Sequence, residues 1–163
     1  MRFSPPTEVP PISDERELLL AYLQLQRELV VESTVGLTEQ QARWQPEGRL
    51  IPILGIVNHL TQVEERWIDG SYARKHVASR SEAEFTVGTD RTLAEFVDAY
   101  EARSEATERT VLAALGLDAP CIGPGKTEVD LRWVLLHLVE ETAHHAGHAD
   151  STREMLDGRR TSW

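Results

Sequence analysis

The chain lacks several features that mark common functional classes. It has a single cysteine, Cys121, so an intrachain disulfide is impossible and a reducing, cytoplasmic location is expected. Only 17 Lys and Arg stand against 27 Asp and Glu, and the net charge of −10 argues against a general nucleic-acid-binding protein. No apolar run approaches the roughly 20 residues of a membrane-spanning helix. Four prolines among the first 11 residues leave no apolar core for a signal peptide.

Period-two alternation is also missing, so no β-sheet is expected. Four long segments carry apolar residues at helical spacing instead, at about residues 13–32, 52–74, 90–115 and 130–156. Thr38 caps a short helical turn between the first two segments, and Ser13 is the candidate cap of the first. The sequence therefore predicts one all-α domain over residues 1–163, a four-helix bundle preceded by an extended Pro-rich segment at 1–12.

The last of these helices concentrates residues that bind metals. Three of the six histidines fall between His144 and His148. On a helix, Glu141, His145 and His148 share one face, because successive residues are rotated by about 100°. His145 points closest to the apolar stripe, whereas His144 lies roughly 100° away from it, towards solvent or a neighbouring helix. The spacing favours a divalent-metal half-site on Glu141 and His145.

A metal-free alternative stays open at this point, because a buried Glu–His pair can be satisfied by hydrogen bonds alone. A complete metal site needs a ligand from another helix, and His59 is the best candidate because it flanks the apolar stripe of the second helix. Three protein ligands would leave one position open, as in catalytic rather than structural zinc sites. His76 is expected to be solvated, and His137 could support the site from one turn away.

The chain resembles the DinB-like superfamily of metal-binding four-helix bundles. The resemblance is carried by a Trp-x-Pro string at Trp44–Pro46, an Asn-His-Leu string at Asn58–Leu60 and Glu-x-x-x-His-x-Gly-His at Glu141–His148. Many members read His-x-x-x-His-Arg-Gly-Gln at the last position. Glu in place of the first His is similar to the mycothiol-dependent maleylpyruvate isomerases of the same superfamily.

This resemblance implies a divalent cofactor, most often zinc or nickel, with His59, Glu141 and His145 as ligands and His148 as a further ligand or an outer residue. It also implies an up-down-down-up bundle with a long crossover between the second and third helices, at Lys75–Asp90. A homodimer is common in the superfamily and is expected here.

Three functions are compatible with such a site. The first is an S-transferase or isomerase in which the metal activates a low-molecular-weight thiol for attack on an electrophile, with His148 or His144 carrying the proton. The second is a metal-dependent hydrolase using the same residues. The third is a non-catalytic stress protein that binds a metal or a small ligand. No Gly-rich phosphate loop or nucleophile elbow decides among them, and no catalytic residue is assigned.

Overall fold

The computed structural model describes residues 8–45, 47 and 50–159, and it is dominated by helices. The α-helices of these residues are α1 (Glu15–Glu32), α2 (Glu39–Ala42), α3 (Ile53–Glu64), α4 (Leu93–Ala113) and α5 (Leu131–Asp157). Among the described helices, none is long and apolar enough to span a bilayer. The all-α prediction is confirmed. The proline-rich N-terminal prediction falls largely outside the described residues.

The ends of the long helices follow local chemistry. Asp14, not Ser13, caps α1, because its carboxylate accepts the Glu17 amide at 2.9 Å. Thr92 and Glu95 form a reciprocal capping box at the start of α4. Gly158 ends α5 in the left-handed region, at φ 76°, where the absence of a side chain removes the steric cost.

Two groups of buried apolar residues give the direction of each long helix. One group joins the beginnings of α1 and α5 to the ends of α3 and α4, through Leu23, Leu135, Val63 and Val111. The other joins the ends of α1 and α5 to the beginnings of α3 and α4, through Val30, Ala149, Ile56 and Tyr100. Helices α1 and α5 therefore run one way and α3 and α4 the other. This confirms the up-down-down-up bundle, with the 75–90 segment returning along its length.

The core follows the amphipathic patterns of the sequence. Leu23, Ile56 and Leu138 are completely buried. Burial of each such side chain stabilises the fold by roughly 1.5–3 kcal/mol relative to exposure.

One expectation was wrong in detail, because a small antiparallel hairpin interrupts the predicted loop before α5. Strands β1 (Pro120–Ile122) and β2 (Glu128–Asp130) pair with Cys121 opposite Val129. Each strand has three residues, too few to show alternation in the sequence. Cys121 is the buried centre of β1, and burial raises the pKa of its thiol, so its place in the hairpin indicates packing rather than reactivity.

The second predicted helix has the expected length but changes its geometry midway. After Glu64 the α-helix continues as a π-helical segment, Glu65–Tyr72. This wider winding turns Arg66, Trp67 and Ser71 toward a cleft beside the bundle. Such segments are rare and often lie at functional sites.

Candidate metal centre

Three side chains meet in the middle of the bundle, where α3 faces α5. The Nε2 atom of His59 lies 3.2 Å from Oε1 of Glu141, and Nε2 of His145 lies 3.5 Å from the same oxygen. One ligand atom from each residue falls within 4.8 Å of the others. The sequence prediction thus named the three residues that the fold brings together.

The spacing of these atoms fits a divalent metal. Ligand atoms placed about 2.0–2.1 Å from a tetrahedral zinc are roughly 3.3 Å apart. The two distances to Glu141 bracket that value. Two imidazoles and one carboxylate are a donor set that zinc and nickel accept.

A carboxylate fixes the orientation of His59. The Nδ1 atom of His59 lies 2.7 Å from Oε2 of Glu84, which is almost completely buried. An ionised carboxylate can only accept, so Nδ1 carries the proton and donates it. In a neutral His59 the Nε2 lone pair then faces the Glu141 carboxylate, and two acceptors oppose each other at 3.2 Å. Either a proton on Nε2 or a cation between these atoms removes that repulsion.

Glu84 is itself held as an anion. Burial alone would raise the pKa of Glu84, but hydrogen bonds from Arg66, the Ser81 amide and His59 hold it below its usual value. Arg66 donates to both carboxylate oxygens, at 2.6 and 3.1 Å. This arrangement, in which a carboxylate orients a histidine ligand, is the usual support of a metal-binding imidazole.

A close approach of two backbones delivers Glu84 to the site. Gly55 on α3 faces the 3₁₀-helical turn Glu82–Phe85, and a Cβ at this position would lie 2.3 Å from the Phe85 carbonyl oxygen. Asn58 reinforces the contact by donating to the Glu84 carbonyl at 2.7 Å. Any larger residue at Gly55 would push the turn, and with it Glu84, away from His59.

The two ring nitrogens of His145 lie in different surroundings. This residue is buried, and its Nδ1 atom has no hydrogen-bond partner among the described residues. The Nε2 atom of His145 faces Glu141 instead. Hydrogen bonds from His145 and His59 hold the pKa of Glu141 far below its usual range, despite partial burial. The cluster thus keeps an ionised carboxylate between two imidazoles, an arrangement that could hold a metal ion.

The other histidines lie around this centre. His148 is outside the group of close ligand atoms; its ring centroid lies 5.7 Å from that of His145 and 4.4 Å from that of His144. Burial, followed by the charges of His144 and His145, lowers the pKa of His148. His144 is exposed, as its angle on the helix predicted.

The two remaining histidines lie along the cleft. His137 stacks on Trp133 and meets Trp67 edge-on, so it belongs to an aromatic wall rather than to the ligand group. His76 is exposed, as expected, at the mouth of the same cleft.

Glu84 and Arg66 were missed by the sequence reading. The string Ser81-Glu82-Ala83-Glu84 has the Ser-x-x-Glu pattern of a capping box, and the structure shows that box. The pattern predicts a local turn in the 75–90 segment, but it does not indicate which side chain of the turn reaches the bundle.

Two cavities open on either side of the centre. A cleft of about 860 Å³ reaches His59 and Glu141 and is walled by Trp67 and His137. A pocket of about 480 Å³ reaches Glu141 from the other side, past His145 and His148. The larger volume is that of a site for a drug-sized ligand. Glu141 borders both cavities, so two molecules could meet at this carboxylate.

Comparison with known proteins shows the family and the fold. The sequence model of the family described as mycothiol-S-transferase matches residues 18–158, which include every residue of the centre. Among curated proteins, none matches the chain. A similar structure is the crystal structure of a conserved protein from Enterococcus faecalis, with a TM-score of 0.74 and 14% sequence identity. The alignment covers 91% of this chain and 100% of that one, and it shows the shared fold.

Proposed function

The chain belongs to the mycothiol-S-transferase family, and from this premise we propose that it transfers the sulfur of a low-molecular-weight thiol to an electrophile. The reaction would take place at a divalent metal held by His59, Glu141 and His145. The observation that carries the proposal is the cluster of three ligand atoms between two cavities, one for each reactant. Mycothiol is the thiol that the family name indicates.

A bound divalent cation would favour the thiolate form of the thiol, which is the nucleophile. The protein's own residues hold that arrangement in place. Glu84 fixes the ring of His59 so that Nε2 faces the centre, and Glu141 supplies a negative charge that offsets part of the cation's charge. The buried positions of His59 and His145 exclude water from their side of the centre.

The transfer needs a proton acceptor and no redox partner. The thiol loses its proton, its sulfur forms a bond to an electrophilic carbon, and the leaving group departs with the electron pair of its bond. His148 lines the smaller pocket beside Glu141 and His145, and we assign it the role of accepting the proton at an imidazole nitrogen. Its alternative role is that of a fourth ligand.

Three further properties form part of the proposal. The metal is zinc or nickel, since two imidazoles and a carboxylate suit both. The protein acts in the cytoplasm, where low-molecular-weight thiols stay reduced.

The protein assembles as a homodimer, for which sedimentation equilibrium at micromolar protein should give twice the chain mass of 18.4 kDa. A single chain mass would contradict the dimer.

The test is a transfer assay with untagged protein. Protein loaded with zinc or nickel should accelerate the formation of S-carbamidomethyl-mycothiol from mycothiol and iodoacetamide, followed by mass spectrometry. Protein treated with a chelator, and the His145→Ala variant, should lose the acceleration. The proposal fails if neither metal raises the rate above that of buffer.

Cobalt substitution separates the alternatives. A thiolate bound to cobalt gives a charge-transfer band, and its intensity should rise with pH as mycothiol loses its proton. A cobalt spectrum that responds to hydroxide but to no thiol would favour the hydrolase. A spectrum that responds to neither would favour plain metal binding.

A further inference from the structure

The larger cleft has the opposite charge to the rest of the protein. The chain has 17 Lys and Arg against 27 Asp and Glu. Four of these basic residues border the 860 Å³ cleft, against one acidic residue, Glu141. The four are Arg66, Lys75, Arg80 and Lys126. Such a concentration is not expected from the composition, and a cleft of one charge attracts ligands of the other.

Two of the four positive charges are already matched within the protein. Arg66 is bound to the buried Glu84 through two hydrogen bonds. Lys75 is paired with Asp69 at 3.1 Å, and Asp69 also accepts from Arg103. These residues contribute to the shape and charge of the cleft but have little left to offer a ligand.

The other two remain available. The side chain of Lys126 has no hydrogen bond or ion pair to any residue that the structure describes. The only ion pair of Arg80 within those residues is to Glu82, and both side chains are more than half exposed, at 61% and 81%. An ion pair this exposed contributes little and is easily exchanged for another partner.

The backbone at Lys126 is unusual as well. This lysine adopts φ 64°, in the left-handed region that non-glycine residues rarely occupy. Lys126 is the last residue of the turn that joins the two strands through Pro124 and Gly125. Its amide closes this turn by donating to the Gly123 carbonyl at 3.2 Å. Strained residues of this kind are common where a side chain clamps a ligand.

One part of the cleft wall is apolar and aromatic. Trp67 and His137 contact each other with ring centroids 4.7 Å apart, and Val63 is buried beside them. Glu141 lies where this wall meets the metal centre. A molecule bound here would have its apolar part against the wall and its reacting atom near Glu141, and any anionic group would face the exposed basic residues.

We propose that one of the two reactants carries a carboxylate, which Lys126 and Arg80 bind at the exposed side of the cleft. This inference rests on the proposed transfer function and names the class of its substrate. With mycothiol, whose cysteine carboxyl is bound as an amide, the carboxylate belongs to the electrophile; a thiol with a free carboxylate would be recognised by the same chemistry.

The kinetic test compares reactants that differ in one charge. With mycothiol as the thiol, iodoacetate is compared with iodoacetamide; in both cases a C–S bond forms and iodide leaves. With iodoacetamide as the electrophile, N-acetylcysteine is compared with its methyl ester. The variants are Lys126→Gln and Arg80→Gln, and the control is Arg109→Gln, an exposed arginine paired with Glu105 away from the cleft.

Each cleft variant should raise KM for the anionic reactant by roughly fivefold, leave its neutral counterpart unchanged and leave kcat nearly constant. An effect on iodoacetate assigns the carboxylate to the electrophile, and an effect on N-acetylcysteine assigns it to the thiol. Lys126→Arg should restore most of the loss. Equal effects on charged and neutral reactants, or the same effect in Arg109→Gln, would overturn the proposal.

Equilibrium binding keeps this inference separate from the transfer reaction. Calorimetry with the full chain, with and without zinc, should show that benzoate binds more tightly than benzamide. The Lys126→Gln variant should bind benzoate roughly fivefold more weakly than the wild type and benzamide equally well. If no transfer occurs but this difference is seen, the proposed function fails and the anion site stands. If transfer occurs and benzoate and benzamide bind alike, the anion site fails and the transferase stands.

Discussion

Helix α3 anchors two buried polar clusters little more than one turn apart, and they are built differently. At Glu64, the guanidinium of Arg27 donates to both carboxylate oxygens at 2.8 Å, and both side chains are 4% exposed or less. At His59, two carboxylates and a second imidazole surround one ring. In the first cluster every nitrogen and oxygen atom has a partner, whereas in a neutral second cluster two acceptors face each other.

This difference separates a structural cluster from a binding one. No polar atom of Arg27 or Glu64 is buried without a partner, so nothing remains for a ligand. The His59 cluster leaves His145 Nδ1 without a described partner and directs Nε2 of two histidines at one carboxylate oxygen. A proton or a metal ion between the Nε2 atoms and that oxygen would stabilise the facing acceptors. We therefore expect loss of Arg27 to affect folding and changes around His59 to affect the metal.

The largest effect is expected from breaking the matched cluster. Arg27→Met leaves the Glu64 carboxylate buried and unpaired, which should lower the free energy of unfolding by about 3–5 kcal/mol in urea denaturation. Metal content per folded chain should not change. Arg109→Met, which breaks an exposed pair with Glu105, should cost less than about 1 kcal/mol.

The double variant Arg27→Met, Glu64→Leu sharpens this comparison. With both charges removed, the free energy of unfolding should return most of the way to that of the wild type. If Arg27→Met alone is as stable as the Arg109→Met control, the Arg27–Glu64 pair does not stabilise the fold as described.

The next largest effect should come from removing a ligand of the unmatched cluster. His59→Ala and His145→Ala should each abolish stoichiometric metal, measured by elemental analysis of untagged protein. At zinc concentrations about 100 times the dissociation constant, these variants should lose the roughly 2.7 kcal/mol of stability that binding supplies. His144→Ala should keep its metal, because His144 is exposed. Equal metal loss in all three variants would show that the wrong histidines were assigned.

A smaller effect is expected from the residue that orients His59. Glu84→Gln keeps the size of the side chain but removes the charge facing Nδ1, and it should weaken zinc binding by roughly 10- to 100-fold in competition with a chelator. Glu82→Gln is the matched control, since Glu82 lies in the same turn but is exposed. The role of Glu84 would be refuted by two variants with the same zinc affinity as the wild type.

The sequence predicted those parts of the site that lie on the long helices. The angles of Glu141, His144 and His145 follow from the geometry of α5 alone, and the structure buries His145 and exposes His144 accordingly. The positions of the long helices followed from the apolar patterns, and their directions from the family resemblance. These predictions needed no knowledge of how the 75–90 segment folds.

The parts that were missed depend on contacts between distant segments. Glu84 reaches His59 because Gly55 lets the crossover turn approach α3, and the two residues are 25 positions apart. The charge of the cleft likewise combines Arg66 on the π-helical segment with Arg80 and Lys126 on two separate loops. No periodicity in the sequence reports such a meeting, and the apolar spacing predicts one continuous helix across the change from α- to π-helical winding after Glu64.

The smallest effect concerns how the unmatched cluster responds to acid when it holds no metal. Hydrogen bonds from His145 and His59 place the pKa of Glu141 in the folded chain well below the usual 4.5. A carboxylate of this kind contributes stability above its pKa in the unfolded chain, and that contribution is lost as the pH falls toward the folded-state pKa. In chelator-treated protein, the free energy of unfolding should therefore fall more steeply for the wild type than for Glu141→Gln, between about pH 5 and pH 3. The difference should stay below about 1 kcal/mol, because the Glu141 side chain is 30% exposed and water screens its charge. Parallel curves would mean that the two histidines do not stabilise the Glu141 anion, and that the two clusters on α3 differ less than their geometry indicates.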